Sequence, residues 1–398
     1  MILRWFLSRT VRQAVELRKH VIRMLRAQQD LLPNPAIHSV QTPAHDLDAA
    51  LKSGESAPLI QERMKALEEA ANRWLRPYPH ASLRENIEVI LVAVAVALAI
   101  RSFFLQPMKI PTGSMQPTLY GITTQNLKDK PNLAIPRGLR RVFESAFLGT
   151  SYYHVVAQND GELRNIGPVQ KVFPFIKKQR FLVGDTWYTI WFPPASLPNR
   201  GVPDDQEIFV HSGIEPGHVF HRGEDIIKLK VVAGDHLFVN RMAYNFCHPQ
   251  RGDIVIFETR GIEGIQQDTF YIKRLVALGG DRLQIGNDQH LIVNGRRLDA
   301  ATPPFENIYT FGPEPKENEY FGHVNNFVAR KLGRGLGTKF TDGQFAYPVP
   351  PNYYFVMGDN TMNSLDSRYW GAFPREKVIG QASFVYWPIS SRFGWGYR

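Results

Sequence analysis

The chain has 398 residues, 43% of them hydrophobic, which is enough for one large domain or two ordinary ones. Its formal net charge of +10 suits either a nucleic acid or an anionic membrane surface. No zinc-finger spacing, RNP-like aromatic signature or basic recognition helix accompanies that charge, so we expect no nucleic-acid partner. The single cysteine, Cys247, excludes an internal disulfide and a cysteine-based metal site, and leaves the redox compartment open.

The N-terminal region, residues 1–80, begins with alternating basic and apolar residues over 1–32, a pattern typical of an amphipathic helix. Such a helix could lie on an anionic membrane or pack against another helix, and the pattern favours neither. Residues 33–57 are rich in Pro, Ser, Asp and Ala, which predicts a linker. A second helix with mixed charges is predicted at about Leu59 to Leu75.

A strongly apolar run, VILVAVAVALAI, occupies Val89 to Ile100 and extends over 87–105 if Glu88 and Arg101 are admitted near its ends. A helix of that extended length rises roughly 28 Å, close to the roughly 30 Å hydrocarbon thickness of a bilayer. We therefore predict a transmembrane helix over 87–105. The alternative is a buried core helix, because the unbroken run is shorter than the usual span.

Basic residues on the two sides of this helix predict its orientation. Arg73, Arg76 and Arg84 stand close upstream, and Arg101 and Lys109 close downstream. Together with the basic residues of 1–32, this bias predicts a cytoplasmic N-terminal region and an extracytoplasmic catalytic part over 106–398.

After residue 106 the sequence changes to short β-branched and aromatic runs between Gly, Pro and Asp turns, which predicts a mainly β fold. The runs are Leu237 to Asn240, Ile254 to Phe257, Leu291 to Asn294, Tyr353 to Met357 and Ala382 to Trp387. Two stretches at about 121–228 and 299–349 interrupt them. Because these stretches are dense in Pro, Gly and aromatic residues, we interpret them as insertions or a second lobe.

A serine stands in a stiff loop immediately after the apolar helix, in the stretch KIPTGSMQPTL from Lys109 to Leu119. Ser114 follows a glycine and lies between two prolines, so a sharply turned loop can present its hydroxyl. On its own, such a residue is more often a structural turn serine than a nucleophile. Its interpretation depends on a general base elsewhere in the chain.

The candidate base is a lysine, because none of the twelve histidines lies in a recognisable triad context. Lys273 lies in a strand-like apolar segment, YIKRLVALGGD, from Tyr271 to Asp281. Burial beside apolar groups disfavours the ammonium ion, which allows a lysine to act as a base. The commoner arrangement for a lysine is a charged head in solvent at a sheet edge.

A third block, MGDNTMNSLDSRYWG from Met357 to Gly371, is a polar loop with an aromatic end. Asp366 and Arg368 could form an ion pair, and Ser364 could form a hydrogen bond with the lysine. Alone, the block is also compatible with a loop whose polar groups are hydrogen-bonded and that has no catalytic role.

In order, these blocks resemble the bacterial type I signal peptidases, a family of serine-lysine leader peptidases. The resemblance rests on the apolar helix followed by KIPTGSMQPTL, GDHLFVNRMAY, RGDIVIF, YIKRLVALGGD and GDNTMNSLDSRYWG. It covers about 87–119, 231–297 and 353–388. The implied fold consists of coiled, partly barrel-like β-sheets with large insertions, preceded by a helical N-terminal region and one transmembrane helix.

The resemblance implies that Ser114 is the nucleophile of peptide-bond hydrolysis and that neutral Lys273 is its general base. Ser364 would orient Lys273, and Asp366 and Arg368 would support the loop that carries Ser364. No metal or organic cofactor is implied.

The resemblance also implies an oxyanion hole and a substrate groove. The backbone N–H of Ser114 and the hydroxyl of Thr112, where the family usually has serine, would hold the oxyanion. An extended substrate would pair with the edge at Lys109 to Pro111, with its small residues in shallow apolar pockets. The residues implied to contact it are Lys109, Ile110, Pro111 and Met115.

The implied protein is a single-pass enzyme of the bacterial cytoplasmic membrane that cuts signal peptides from exported preproteins after small residues, as in Ala-X-Ala. Its expected partners are these preproteins and the phospholipid membrane, with the translocation channel as a further candidate. The sequence departs from the family pattern at Thr361, where a basic residue is usual, and at Met362. Two rivals are a soluble self-cleaving repressor of the same fold and a catalytically silent scaffold that binds signal peptides.

Overall fold

The computed structural model describes residues 8–76, 81–130, 133–174, 176–194, 203, 205–215, 217–310 and 322–395. Residues 1–7 of the predicted amphipathic helix and 311–321 of the second insertion lie outside this description. The chain divides into two compact units, Met1–Ala95 and Val96–Arg398. The α-helices are α1 (Arg9–Gln28), α2 (Asn34–Ser53), α3 (Ala57–Trp74), α4 (Ala81–Ala99), α5 (Gly138–Phe147), α6 (Glu207–His211), α7 (Ala243–Phe246), α8 (Glu306–Tyr309), α9 (Asn326–Lys331) and α10 (Ser367–Trp370).

The strands all belong to the second unit. In chain order they are β1 (Leu105–Lys109), β2 (Thr123–Asn126), β3 (Thr150–Val156), β4 (Gly161–Ile166), β5 (Gln170–Phe173), β6 (Ile176–Val183), β7 (Thr186–Trp191), β8 (Val219–Phe220), β9 (Asp225–Val232), β10 (His236–Asn240), β11 (Ile254–Glu258), β12 (Phe270–Ala277), β13 (Arg282–Ile285), β14 (Leu291–Val293), β15 (Arg296–Arg297), β16 (Ala346–Pro348), β17 (Tyr353–Met357), β18 (Phe373–Pro374), β19 (Val378–Trp387) and β20 (Gly394–Trp395). The prediction of a mainly β fold after a helical N-terminal region is confirmed.

Helices α1, α2 and α3 pack around a common apolar core in the first unit. Val21 of α1, Leu47 of α2 and Leu67 of α3 are almost completely buried there. The apolar stripe of α1 is therefore covered by neighbouring helices, and the structure favours helix packing over the membrane-surface alternative.

The predicted linker over 33–57 is wrong, because most of it forms α2. Val40, Leu47 and Leu51 recur at helical spacing and are buried, so the burial of one face outweighs a composition rich in Pro and Ser. Pro43 lies inside this helix, which ends at Gly54 with φ of 78°.

Helix α4 continues through a short π-helical segment, Ile100–Phe104, directly into β1. Over Leu83–Phe104 it is long and apolar enough to cross a membrane, and none of this stretch is buried inside the structure. A core helix would be covered by protein, so the core-helix alternative is wrong for the described residues.

The main sheet of the second unit is antiparallel and has eight strands, in the order β1-β10-β19-β11-β12-β17-β18, with β20 beside β19. Its apolar residues lie on two faces, one packed with Met115 and Leu119 and the other with Phe373. This order places β1 at one edge and β12 in the interior. The sheet therefore brings segments far apart in sequence to one place.

The two predicted insertions are folded. The first contains the five-stranded sheet β5-β6-β4-β8 with β7 beside β6, and contributes β2 and β3 to a second sheet with β9. Its core contains Phe181, Phe209 and Phe220. The second contributes α8, α9 and β16, and β16 completes the small sheet β15-β14-β13-β16.

Candidate active site

The loop that carries Ser114 is held in a tight turn at the end of β1. The Ile110 N–H donates to the Asp235 carbonyl at 2.9 Å, and the Ile122 N–H donates to the Pro111 carbonyl at 3.1 Å. Between these contacts, Gly113–Met115 forms one 3-10 turn. A side chain at Gly121 would lie 2.2 Å from the Thr112 carbonyl carbon, so only glycine allows the loop to close on itself.

Lys273 lies in the interior strand β12, and its side chain is directed at the serine. Lys273 Nζ lies 2.7 Å from Ser114 Oγ, although the two residues are 159 positions apart. Nζ also donates to the Ile272 carbonyl at 3.0 Å. Lys273 is only 4% exposed and Ser114 only 5%, so the predicted pair meets in a buried place rather than at a solvated sheet edge.

Thr112 stands beside the same hydroxyl but at the surface. Its Oγ1 lies 3.4 Å from Ser114 Oγ, which is long for a bond between hydroxyls. Thr112 is exposed, whereas Ser114 is buried. Its hydroxyl therefore lies on the open side of the serine, where a substrate carbonyl could approach.

Ser364 is buried next to Gly358 and Ser114. A side chain added at Gly358 would lie 2.2 Å from Ser364 Oγ and 2.4 Å from the Ser114 carbonyl oxygen. The lack of a side chain at Gly358 thus lets these segments approach each other. Ser364 is 4% exposed, so its hydroxyl lies inside the protein beside the serine loop, and its predicted bond to Lys273 stays a prediction.

Asp366 and Arg368 form a completely buried, bidentate ion pair behind Ser364. Arg368 Nε and Nη2 donate to the two carboxylate oxygens at 2.8 and 2.9 Å. Burial raises the pKa of Asp366, but Arg368 outweighs burial and the net pKa lies below the usual range. The carboxylate also accepts the Gly358 N–H at 3.0 Å, which fixes the loop beside the serine.

A second buried ion pair, Arg274–Asp359, was missed by the sequence analysis. Arg274 Nε and Nη2 donate to Asp359 at 2.8 and 2.7 Å, and both side chains are 0% exposed. The Thr118 hydroxyl donates to the same carboxylate at 2.5 Å. This cluster joins the serine loop, the lysine strand and the 357–371 loop. An arginine within the apolar run YIKRLVAL was the available signal.

Asn360 is a further residue that sequence analysis gave no role. Its backbone N–H donates to the Ser114 carbonyl, and its Nδ2 donates to the Gly113 carbonyl, both at 3.1 Å. Two bonds from one residue hold the serine turn against the third motif block. The position of the nucleophile candidate therefore depends on a residue 246 positions away.

His323, from the second insertion, is buried close to both ion pairs. It is 0% exposed, and neither ring nitrogen has a hydrogen-bond partner in the described part of the chain. Burial lowers its pKa to about 4, with a further contribution from Arg368. Next to it, the Val324 N–H donates to Thr361 Oγ1 at 2.9 Å. The second insertion thus contacts the 357–371 loop.

The predicted substrate residues divide into two groups. Lys109 and Pro111 are exposed at the end of β1, which has β10 as its one partner in the described sheet. Burial of part of its side chain lowers the pKa of Lys109. Ile110 and Met115 are instead 2% and 0% exposed. Their side chains pack in the core around Leu237 and others, and their predicted contact with substrate stays a prediction.

Comparison with known proteins identifies a family whose model matches this chain. The family model described as signal peptidase, peptidase S26, matches residues 83–127 and 227–387. Similar proteins are the probable signal peptidase I-2 of Synechocystis, 31% identical, and signal peptidase I of Aquifex aeolicus, 31% identical. Each alignment covers 39% of this chain, and the chain spans 56% and 70% of their respective lengths.

Two further comparisons involve proteins of Bacillus subtilis and Enterococcus faecalis. Signal peptidase I P of Bacillus subtilis subsp. natto is 33% identical, over 40% of this chain and 72% of that protein. The solved structure of a signal peptidase I from Enterococcus faecalis is 24% identical, over 34% of this chain and 98% of that one, with a TM-score of 0.24.

Proposed function

This chain belongs to the signal peptidase family S26, and from that premise we propose that it is a membrane-bound serine endopeptidase with Ser114 as nucleophile and Lys273 as general base. The observation that carries the proposal is the 2.7 Å contact between Ser114 Oγ and Lys273 Nζ inside the protein. Nucleophile and base must lie within hydrogen-bond reach for proton transfer, and this pair does.

In the proposed reaction, Ser114 Oγ attacks the carbonyl carbon of the scissile bond while its proton passes to neutral Lys273. The carbonyl oxygen becomes an oxyanion, held by the Ser114 N–H and the Thr112 hydroxyl. The C–N bond then breaks, and the lysine returns the proton to the leaving amine. Water, deprotonated by the same lysine, cleaves the serine ester and regenerates both groups.

The amine must be neutral for this sequence to begin, and its surroundings favour that form. Lys273 is 4% exposed, near apolar residues including Ile272. Removal from water disfavours an ammonium ion relative to the free amine. An exposed lysine, with a pKa of about 10.4, would be almost wholly protonated at neutral pH.

The remaining polar residues act as positioning groups in this proposal. Asn360 holds the serine turn through two carbonyl oxygens. Ser364 remains the proposed orienting group for Lys273. Ser364 and Ser114 lie on either side of Gly358, and both are buried. The Asp366–Arg368 pair supports the loop that carries Ser364.

The substrate side of the proposal rests on the open edge of β1. An exposed strand edge offers unpaired backbone groups to an extended peptide. We propose that the cleavage site of a preprotein pairs along Lys109 to Pro111, with small residues, as in Ala-X-Ala, directed towards the serine. Pro111 has no N–H to donate, so the pairing must use other backbone groups of this segment.

Helix α4 supports the proposed location in the bacterial cytoplasmic membrane, with the N-terminus inside and 106–398 outside. Preproteins leaving the translocation channel would then meet the enzyme on the outer face. Protease added to intact spheroplasts should degrade the C-terminal part and leave a protected N-terminal fragment. Protection of the C-terminal part would reverse the proposed orientation.

The decisive experiment uses the full chain in detergent and a peptide with an Ala-X-Ala site. We expect cleavage at that site, and its loss in Ser114→Ala, while Ser145→Ala, an exposed serine in the first insertion, keeps normal activity. A folded protein that never cleaves the peptide would support the silent-scaffold alternative. Cleavage that is unchanged by Ser114→Ala would refute the proposed nucleophile. The soluble-repressor alternative is disfavoured by the exposed apolar helix α4.

A further inference from the structure

Helix α5 in the first insertion is attached to the protein through polar residues. The Tyr152 hydroxyl, on β3, donates to Glu144 Oε2 at 2.9 Å. Arg141 Nη2 donates to the Tyr152 carbonyl. Glu144 and Arg141 lie on the same side of the helix. A surface helix normally turns its apolar side inward, so this attachment is the reverse of the usual one.

The opposite side of α5 carries large apolar residues that the described protein leaves uncovered. Leu139, Val142, Phe143 and Phe147 are spaced for one helical face. Their exposed fractions are 89%, 64%, 53% and 47%. Four such side chains exposed on one face of a ten-residue helix mark a surface that interacts with another protein or a membrane.

Hydrogen bonds connect the C-terminal end of α5 to the main sheet, which the apolar helix α4 enters through β1. Trp387 Nε1 donates to the Ala146 carbonyl at 2.7 Å, and the Ile389 N–H donates to the Phe147 carbonyl at 2.8 Å. Trp387 pairs with His236, which pairs with Lys109 of β1. Neighbouring strands are about 4.8 Å apart, so the end of α5 is anchored about two strand spacings from Lys109, which lies four residues along β1 from Leu105, where the apolar helix has ended.

We propose that α5 is an interfacial helix whose apolar face lies in the outer leaflet of the bilayer that α4 crosses. Helix α5 and the C-terminal end of α4 belong to one compact unit. The hydrogen bonds that anchor α5 therefore keep its apolar face near lipid at high effective concentration. Exposed Arg137, which precedes the helix, suits the phosphate region of anionic lipids, whereas Arg140 is paired with Glu144 at 2.9 Å. Four side chains form a patch too small for a stable protein interface, which needs roughly 800 Å² per partner.

Spin labels on the two sides of α5 test this proposal. The full chain carries Cys247→Ser, so that a single new cysteine is labelled, either Phe143→Cys on the apolar side or Ser145→Cys on the polar side, two residues apart and so on opposite sides of the helix. Each protein is reconstituted into vesicles of phosphatidylethanolamine and phosphatidylglycerol. Collision with oxygen, which concentrates in lipid, is compared with collision with a water-soluble nickel chelate.

We expect the oxygen-to-nickel accessibility ratio at position 143 to exceed that at 145 by roughly threefold or more, as for a side chain inside the lipid boundary. Equal ratios would place the apolar face in water and overturn the proposal. Shielding of position 143 from both reagents would also overturn it, in favour of a second copy or another protein. Leu139→Cys is the second probe if Phe143→Cys fails to fold. Neither accessibility measurement requires peptide cleavage. A failure of this proposal can therefore be distinguished from a failure of the proposed catalysis.

Discussion

Two regions of this chain use charged residues in opposite ways. Around Ser114, the pairs Arg274–Asp359 and Asp366–Arg368 have no exposed surface. In the first insertion, the Arg164–Asp185 pair has side chains 57% and 100% exposed. Removing charges from water costs several kcal/mol per ion unless the geometry repays it, whereas exposed pairs cost and contribute little. The comparison indicates that the buried pairs near Ser114 serve to position groups, while the exposed Arg164–Asp185 pair contributes little to the fold.

The largest expected effect is on Lys273. Lys273→Arg should be as inactive as Lys273→Ala, with kcat lowered roughly 10⁴-fold or more, because a guanidinium cannot accept the serine proton. Peptide cleavage by the full chain in detergent measures this effect. In the unchanged protein, activity should rise with pH through one ionisation well below pH 10. Near-normal turnover in Lys273→Arg would show that Lys273 is not the general base. The buried site around Ser114 would then differ less from the exposed insertion in what its charged residues do.

Asp359→Ala should give the next largest effect, on stability. It leaves Arg274 buried without its carboxylate, and breaking a buried pair in this way costs about 3–5 kcal/mol of unfolding free energy. Thermal unfolding in detergent measures the loss, and Asp185→Ala in the exposed pair is the matched control. We expect no measurable change in that control. Similar losses in both variants would mean that burial does not distinguish the two regions.

Thr112→Ala should lower kcat on the order of a hundredfold, since one oxyanion donor is lost. Thr112→Ser retains the hydroxyl and should be nearly silent. The exposed position of Thr112 predicts that neither change affects the melting temperature, in contrast to Asp359→Ala. If a folded Thr112→Ala enzyme remained fully active, another group would have to stabilise the oxyanion.

Replacement of His323 should have the smallest effect on protein stability at neutral pH. Its pKa is about 4 in the folded protein, against about 6.5 when unfolded, so between these values the unfolded chain binds more protons. Stability should therefore fall as pH decreases from about 6.5 towards 4, with no contribution above that range. Melting temperatures across this range should be less pH-dependent in His323→Leu. His221→Leu, an exposed histidine of the first insertion, should keep the original dependence.

The sequence predicted those parts of the fold that depend on local pattern. The strands at Ile254 to Phe257 and Tyr353 to Met357 were identified because β-branched and aromatic residues cluster between turn residues. The linker over 33–57 was wrong because composition was weighted above the helical spacing of Val40 and Leu47.

At the site, the motif blocks identified Ser114 and Lys273, but not what holds them in place. Arg274 and Asp359 are 85 positions apart, and their pairing follows from the antiparallel register of β12 and β17. The family resemblance implied that Ile110 contacts substrate, yet its side chain is 2% exposed. Such contacts depend on the three-dimensional arrangement of the strands, which residue spacing does not specify.

Thr361 has a consequence for attempts to shorten this protein. Its Oγ1 accepts hydrogen bonds from Arg368 Nη1 and from the Val324 N–H, both at 2.9 Å. The second of these donors belongs to the inserted segment that also supplies His323. Removing 299–349 to shorten the protein would therefore expose a buried arginine and take away residues that pack behind the 357–371 loop. In this chain the inserted segment is a structural part of the core around Ser114 and Lys273, and a compact engineered version would have to replace those contacts.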